Sequence, residues 1–203
     1  MKKRLCYADP PYPGTAARYY SDHPDYGGEV DHQALINTLV ARYDGWALST
    51  SDNALRDLLP LCPRAAKVAI WVKPNGPDPR TRGADRQWEP VIYVPARERK
   101  GAKVRNWFQG LPARGGGTLM GRKPLGFCMW LFKLLGAAPE DDFTDLFPGT
   151  GVVARCWGQF RRASLEYSTD TRAVSLVDER HPPPASLPAE GDTTIGERWR
   201  ARS

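Results

Sequence analysis

Two short stretches of this 203-residue chain combine chemically useful side chains with turn-forming residues. The first is Asp9-Pro10-Pro11-Tyr12, which follows the apolar residues 4–8. Proline cannot continue a sheet, so we expect a strand to end there and to present a carboxylate and an aromatic ring at a sharp edge. The second is the run DLFPGTG, residues 145–151, which follows another predicted strand.

The second stretch has the composition of a ligand-binding turn. Gly149 and Gly151 let the backbone approach a ligand closely, and the helix predicted after them offers free N–H groups to a carboxylate or phosphate. Glu166 ends the next predicted strand, residues 162–167, where an acidic residue commonly binds both hydroxyls of a ribose. A plain strand-to-helix turn with an exposed Glu166 is the alternative.

Predicted strands and helices alternate along the chain. Periodicity and turn residues predict strands at 4–8, 45–51, 67–72, 88–96, 141–145 and 162–167, and helices at 31–43, 52–62, 125–137, 152–160 and 170–180. Asp31 and Asp52 are the expected N-caps of the first two helices. This alternation predicts an α/β fold with a mostly parallel sheet and helices on both faces, which binds ligands at the carboxyl ends of its strands.

Positive charge is concentrated in one segment. Residues 78–123 hold eleven Lys and Arg against four Asp and Glu, whereas the whole chain holds 29 against 23. Aromatic residues such as Trp88 and Trp107 are interleaved with these charges, a pattern suited to a polyanion with stackable bases. A solvated basic loop is the alternative. The candidate nucleic-acid-binding residues are Arg80, Arg82, Arg97, Arg99, Lys100, Lys103 and Arg105.

Other features narrow the class of protein. The apolar fraction is 41%, as in ordinary globular domains, and the longest apolar run is too short to span a bilayer. The amino terminus lacks the apolar core of a signal peptide, so we expect a cytoplasmic protein with no membrane partner. The four cysteines and three histidines lack metal-ligand spacing, so we expect no metal site and buried thiols. Residues 181–203 are expected to be a disordered tail.

Four motifs together resemble a known family. Asp9-Pro10-Pro11-Tyr12 looks like the catalytic motif of amino-group DNA methyltransferases, and the run FPGTG, residues 147–151, looks like their motif for S-adenosylmethionine. The pair Lys123-Pro124 before an apolar helix and the strand RQWEPVIYV resemble two further motifs. Their order along the chain is the permuted order of the beta group. The resemblance implies a Rossmann-like methyltransferase domain over residues 1–180, with residues 75–122 as a basic insertion and small target-recognition region.

The resemblance also implies roles for individual residues. Asp9 would accept one N–H of an exocyclic amine, the Pro10 carbonyl would accept the other, Pro11 would fix the geometry, and Tyr12 would stack on the base. Asp145, Phe147, Gly149 and Gly151 would line the S-adenosylmethionine cleft, with Glu166 on the ribose and Lys123 near the methionine carboxylate. The tyrosine-rich residues 14–29 are a candidate lid, or else aromatic packing onto the domain.

The expected activity is N6-methylation of an adenine flipped out of duplex DNA. The resemblance favours adenine because an Asp in the first place of the motif usually accompanies adenine, and a Ser usually accompanies cytosine. Alternatives are an RNA adenine methyltransferase, a DNA cytosine-N4 methyltransferase, and a non-catalytic protein that binds cofactor or nucleic acid. A homodimer is left open.

Overall fold

The computed structural model describes residues 1–13, 28–74, 84, 87–98, 103–113 and 123–174, with side chains as far as residue 164. Contacts divide the chain into two units, Met1–Ser168 and Thr169–Ser203. The second unit is described only for residues 169–174, which end a helix. The candidate lid and the tail after residue 181 therefore lie outside the described residues, apart from residues 28 and 29. The predicted domain boundary at residue 180 stays a prediction.

Six strands form a single sheet. They are β1 Arg4–Ala8, β2 Gly45–Ser49, β3 Lys67–Val72, β4 Trp88–Val94, β5 Trp107–Gln109 and β6 Asp142–Asp145, in the order β5-β3-β4-β2-β1-β6. Strand β1 pairs in parallel with β2 and β6, and β3 pairs in parallel with β5. Strand β4 is antiparallel to both β2 and β3. Five strands therefore share one direction, which confirms the mostly parallel sheet.

Helices cover both faces of this sheet, as expected. They are α1 His32–Arg42, α2 Leu55–Leu58 with a 3₁₀ turn at Leu59–Leu61, α3 Leu125–Leu134 and α4 Val152–Val174. On one face, α1 and α2 pack against alternate strand residues; this cluster includes Cys6, Ile36, Leu39, Trp46 and Leu58. On the other face, α3 and α4 pack against the remaining alternation; that cluster includes Leu5, Tyr7, Trp71, Phe127 and Trp157. Because successive residues of a strand face opposite sides of the sheet, the strands contribute side chains to two separate hydrophobic cores.

Local signals explain where two helices begin and end. The Asp31 side chain accepts a hydrogen bond from the Ala34 N–H, 2.9 Å away, which confirms it as the N-cap of α1. Helix α3 begins after Pro124 and ends before Gly136, whose φ of +69° only glycine adopts without strain. A Cβ at Gly136 would also lie 2.7 Å from the Arg97 carbonyl oxygen. Gly136 is therefore required both by its conformation and by the close approach of the chain.

The structure corrects three predicted elements. Helix α2 starts after Ala54 rather than Asp52, and residues 52–54 form a turn in which the Ser51 hydroxyl accepts from the Ala54 N–H. Strand β5 was missed because it has only three residues in a basic, glycine-rich region. The predicted strand at 162–167 is wrong, since α4 continues through it to Val174. Residues 159–174 contain no Gly or Pro to stop a helix, and Ala, Leu, Glu and Arg among them favour its continuation.

A salt bridge joins three distant parts of the chain at the amino end of β1. The Arg97 guanidinium binds both carboxylate oxygens of Asp141, at 2.5 and 2.7 Å, and donates to the main-chain carbonyls of Met1 and Gly136. Asp141 is 2% exposed and also accepts from the backbone N–H groups of Lys3 and Ala138. Burial would raise the pKa of Asp141. The hydrogen bonds from Arg97 and from the two backbone N–H groups hold it below its usual value instead.

We expect Arg97→Met to destabilise the fold by about 2–3 kcal/mol. The change leaves the buried Asp141 carboxylate with only its two backbone donors. Removal of one partner of a buried ion pair is strongly destabilising, and these two remaining donors make the loss somewhat smaller here. The free energy of unfolding in urea measures the loss. Arg56→Met, an exposed arginine of α2, is the control and should change stability by less than about 0.5 kcal/mol. Equal stability of the two variants would contradict a structural role for Arg97.

Candidate active site

The two chemically suggestive stretches end side by side. Strands β1 and β6 are neighbours in parallel register, with Tyr7 opposite Asp145. The ladder continues with a 3.0 Å hydrogen bond from the Leu146 N–H to the Tyr7 carbonyl. The segment that starts at Asp9 and the glycine turn after Asp145 therefore leave the sheet next to each other, at the carboxyl ends of their strands. Each stretch was predicted to follow a strand, and the structure adds that the two strands are neighbours.

Asp9 faces a buried lysine. Its Oδ2 lies 3.1 Å from the Nζ of Lys123, and 27% of the Asp9 side chain remains exposed. Lys123 is the residue just before the N-cap of α3, and it is 4% exposed. Lys123 was predicted to approach the carboxylate of a cofactor; both of its salt-bridge partners in the described protein are protein carboxylates. Its role in cofactor binding stays a prediction.

The second partner of Lys123 is Glu89, which the sequence analysis did not identify as a site residue. The Lys123 Nζ lies 2.7 Å from Glu89 Oε1, and the other carboxylate oxygen of Glu89 lies 2.5 Å from the Nζ of Lys73. Glu89 is 5% exposed. The four side chains form a line of alternating charge, Asp9–Lys123–Glu89–Lys73, which is called the charge line below. Its two positive and two negative charges balance.

Aromatic rings enclose the two ammonium groups of the charge line. The Trp71 ring centroid lies 4.5 Å from the Nζ of Lys73 and 5.1 Å from that of Lys123. The Phe127 ring centroid lies 5.6 Å from the Nζ of Lys123. Aromatic faces attract cations, and such walls exclude water, so each charge interacts with its neighbours more strongly than it would in solvent.

Burial and pairing move the titration of the charge line in opposite directions. Burial alone would raise the pKa of Glu89, yet the two ammonium groups of Lys123 and Lys73 lower it to about 2. Burial raises the pKa of Asp9, Lys123 opposes this rise, and the negative charge of Glu89 adds to it. Asp9 is therefore the more basic carboxylate of the two.

Neutral hydroxyl groups flank the charge line at the end of β2. The Tyr7 hydroxyl lies 2.8 Å from the Ser49 hydroxyl, and both residues are buried. Burial, and then the charges of Asp9 and Glu89, raise the pKa of Tyr7 well above its ordinary value, so the phenol is un-ionised at neutral pH. Burial likewise raises the pKa of Tyr12. Pro10 is buried and Pro11 and Tyr12 are partly buried, so the whole predicted catalytic motif sits at this edge.

The glycine turn after β6 has an open backbone and an acceptor without a donor. Gly149 and Gly151 have φ values of +48° and +68°, and a Cβ at Gly149 would meet nothing closer than a carbonyl oxygen 4.0 Å away. Asp145 Oδ1 accepts from the Phe147 N–H at 3.3 Å. Its buried Oδ2 has no hydrogen-bond partner within the described residues. S-adenosylmethionine carries an ammonium group and ribose hydroxyls, which are hydrogen-bond donors. Asp145 offers a free acceptor for such a donor, and the glycine turn offers room beside its backbone, so these residues fit the cofactor.

The remaining predicted site residues have four different outcomes. Glu166 lies within α4, so the predicted strand end that would present it to a ribose is wrong, while its contact with a ribose stays a prediction. Arg97 is occupied by Asp141 and two carbonyls, which argues against its predicted contact with nucleic acid. Lys103 and Arg105 are exposed, and the Arg105 guanidinium lies 5.2 Å from the Trp107 ring centroid. The other predicted nucleic-acid-binding residues lie outside the described residues: Arg80, Arg82, Arg99 and Lys100.

Sequence signals for the missed residues existed. Glu89 is a single acidic residue in an otherwise apolar predicted strand, and a charge in a buried strand needs a partner. Lys73 follows an apolar strand directly, at the edge where ligands bind in such sheets. What the sequence lacks is the pairing itself, because Glu89 is 34 residues from Lys123 and 16 from Lys73.

Two expected absences concern only part of the chain. Within the described ranges, no group of three or more His, Cys, Asp or Glu residues is placed to hold a metal ion. The same residues contain no helix that is both long and apolar enough to cross a bilayer. All four cysteines are free thiols, and Cys6, Cys128 and Cys156 are buried, as predicted.

Comparison with known proteins identifies the fold. No family model and no curated protein sequence matches the chain. Two crystal structures of M1.HpyAVI are similar to it. The structure of the M1.HpyAVI–SAM complex has a TM-score of 0.54 and 13% sequence identity, over 79% of each chain. A second structure of M1.HpyAVI has a TM-score of 0.51 and 13% identity, over 79% of this chain and 78% of that one.

At this level of identity the likeness establishes the fold. The predicted Rossmann-like α/β fold is therefore confirmed.

We expect Asp145→Asn to stabilise the protein at pH 8 by about 2–3 kcal/mol. Burial raises the pKa of Asp145 from 3.8 to about 6. A carboxyl group whose folded pKa is raised contributes stability below its unfolded pKa and loses it as pH rises through the folded value. Two pKa units correspond to about 3 kcal/mol, and solvent screening of this partly exposed carboxylate reduces that figure. The advantage of the variant should therefore appear between pH 4 and 6 and stay constant above.

Urea unfolding at several pH values measures this difference. Asp142→Asn, which alters an exposed carboxylate of the same strand, is the control and should show little effect. A difference in the free energy of unfolding between Asp145→Asn and wild type that stays constant from pH 4 to 8 would contradict a raised pKa of Asp145 in the folded protein.

Proposed function

We propose that this chain is an S-adenosylmethionine-dependent methyltransferase that methylates the N6 amine of adenine in DNA. The observation that carries the proposal is the position of Asp9. Its partly exposed carboxylate lies at the carboxyl end of β1, on a rigid Pro-Pro segment, beside the glycine turn that follows β6. An amine acceptor and a cofactor-binding turn at neighbouring strand ends are the two parts that methyl transfer to an amine requires.

The order of these parts along the chain supports the permuted beta-group arrangement. The strand that ends at the Asp9 motif is the first of the sheet, and the strand that ends at the glycine turn is the last described one. They are nevertheless neighbours in the sheet. An arrangement in which the catalytic motif comes first along the chain and still lies beside the cofactor turn is what a permuted methyltransferase needs.

Asp9 and its prolines would prepare a poor nucleophile. The lone pair of an aromatic amine is delocalised into the ring. In this proposal the Asp9 carboxylate accepts one N–H and the Pro10 carbonyl accepts the other, which localises the lone pair on nitrogen. Because proline restricts the backbone, the acceptors are in place before the substrate arrives. The nitrogen then gives up to Asp9 the proton of the N–H that donates to it. Because about a quarter of the Asp9 side chain is exposed, this proton can pass from Asp9 to solvent.

The cofactor would lie along the glycine turn. S-adenosylmethionine, when bound, supplies a sulfonium methyl group whose bond to sulfur breaks as the amine nitrogen bonds to the carbon. Asp145 Oδ2 would accept from a donor of the cofactor, and Gly149 and Gly151 would give the backbone access to it. Phe147, two residues after Asp145, is partly buried and would provide an apolar wall. Glu166 has no place in this proposal.

The nucleic acid would contact the basic insertion. Of its described cations, Lys103 and Arg105 are exposed, and Trp107 beside Arg105 is 39% exposed. Cations beside an exposed aromatic ring suit a phosphate backbone with stackable bases. DNA is proposed as the partner on the resemblance of the motifs to DNA methyltransferases, and adenine on the Asp that opens the catalytic motif.

Labelled methyl transfer tests the proposal directly. The purified chain is incubated with methyl-labelled S-adenosylmethionine and, in parallel, duplex DNA, single-stranded DNA or RNA. The DNA is then digested to nucleosides for mass spectrometry. We expect N6-methyladenine in DNA. Label only in RNA would transfer the proposal to an RNA substrate, N4-methylcytosine would change the target base, and no label in any pool would leave a non-catalytic binding protein.

Asp9→Asn should reduce the rate of transfer at least 100-fold while cofactor affinity stays within a few-fold of wild type. The amide keeps the shape but is a far weaker acceptor than the carboxylate, and a 100-fold loss corresponds to about 2.7 kcal/mol in the barrier. Single-turnover rates and calorimetry measure the two quantities. Asp57→Asn, an exposed residue of α2, is the control. A rate for Asp9→Asn within tenfold of wild type would remove Asp9 from the chemistry.

Neutralising Lys103 and Arg105 together should reduce the salt dependence of DNA binding. Each lost phosphate contact lowers the slope of log K against log salt by about 0.9, so Lys103→Gln with Arg105→Gln should lower it by roughly 2. Fluorescence anisotropy between 50 and 200 mM salt gives the slope. The matched control is Arg42→Gln with Lys133→Gln, exposed cations in the last turns of α1 and α3. An equal slope in the two double variants would favour the solvated-loop alternative.

A further inference from the structure

Three members of the charge line have no role in the proposed chemistry. Amine activation requires Asp9, yet the protein also buries Glu89 and Lys123 beside it and partly buries Lys73. Burial of ionised groups is costly, and a buried ion pair is weak evidence of added stability. A carboxylate and two ammonium groups beside Trp71 and Phe127 therefore call for a function, and we look for it at Asp9, whose side chain is the most exposed of the four.

Lys123 divides its charge unequally between two carboxylates. Its Nζ is 2.7 Å from Glu89 and 3.1 Å from Asp9. With Asp9 as its only partner, the ammonium would neutralise that carboxylate and occupy the lone pairs that a substrate amine needs. Glu89 takes the shorter contact, and Lys73 binds the second oxygen of Glu89 and so fixes its carboxylate.

We propose that Glu89 is a positioning residue that draws the Lys123 ammonium partly away from Asp9, and so keeps the Asp9 carboxylate a strong acceptor for the substrate amine. This inference rests on the proposed function for its purpose, but the electrostatic arrangement itself can be tested without any substrate. Asp9 alone would touch the reacting amine, whereas Glu89 acts on it through Lys123.

The titratable groups around Asp9 come from every element at this edge. They are Tyr7 of β1, Tyr12 after it, Lys73 after β3, Glu89 of β4, Lys123 before α3 and Asp145 of β6. The cations Lys123 and Lys73 favour the ionised form of Asp9, and the anion Glu89 disfavours it. Glu89 and Lys73 do not contact Asp9 directly. Neutralising each of them in turn should therefore shift the pKa of Asp9 in opposite directions.

The test is a carbon-13 NMR titration of the Asp9 carboxyl group in the full chain, assigned with Asp9→Asn. Glu89→Gln should lower the pKa of Asp9 by about one unit, because Lys123 then has a single anionic partner. Lys73→Met should raise it. Glu98→Gln, an exposed acid beyond the end of β4, is the control and should leave the titration unchanged. Shifts in the same direction for Glu89→Gln and Lys73→Met, or no shift, would overturn the inference.

A kinetic measurement adds a readout that a merely structural residue would not move. In single-turnover methyl transfer, Glu89→Gln should slow the chemical step about tenfold and move the acidic limb of the pH–rate profile to lower pH. Cofactor affinity should stay within about threefold. An acidic limb that stays at the wild-type pH would overturn the proposal even if the rate falls.

Two provisions keep the outcomes separate. Where Glu89→Gln alone does not fold, the double variant Glu89→Gln with Lys73→Met restores equal numbers of positive and negative charges, and its Asp9 pKa is compared with that of Lys73→Met. The double variant should have the lower value. Failure of wild-type protein to methylate any nucleic acid would refute the proposed function, whereas the titration in the absence of substrate decides the role of Glu89.

Discussion

The buried ammonium of Lys123 is the interaction on which the candidate site depends. It is 4% exposed and is held between Glu89 and Asp9, so neither carboxylate can be understood alone. A lysine in this position would lose its charge if its partners were absent, because burial disfavours the ionised form. With both carboxylates beside it, the pKa of Lys123 is raised well above the ordinary value. The cation in turn permits two carboxylates to coexist in an aromatic enclosure.

The direction of one strand makes this arrangement possible. Strand β4 is antiparallel to its neighbours β2 and β3, so its amino end lies at the edge where the parallel strands end. Glu89, the second residue of β4, pairs with Trp71 near the end of β3. A parallel β4 would carry Glu89 to the opposite edge, away from Asp9. The charge line is thus a product of topology as much as of residue type.

Much of the fold could be predicted from the sequence, and less of the site. Apolar periodicity marks β1 to β4, β6, α1 and α3 because each buries a regular stripe, whereas the three-residue β5 has no periodicity to detect. Helix α4 was divided wrongly because a change in apolar pattern was interpreted as a change of element. Asp9 and the glycine turn could be identified because their chemistry is local. Glu89 and Lys73 also carry local signals, but their pairing with Lys123 and with each other could not be predicted, because it arises only from contacts between distant residues.

The two halves of the edge differ in how completely they are satisfied. Around Asp9 the charges balance, and the pairing of Glu89 with both lysines, which lowers its pKa to about 2, favours the folded state at neutral pH. Around the glycine turn, burial raises the pKa of Asp145 to about 6, and its Oδ2 has no partner within the described residues. One half is therefore preorganised by its own ion pairs, while the other carries a desolvation cost that a donor from a ligand would relieve. That asymmetry is expected where one half fixes a catalytic carboxylate and the other must accept and release a small molecule, since a fully satisfied turn would gain nothing from binding.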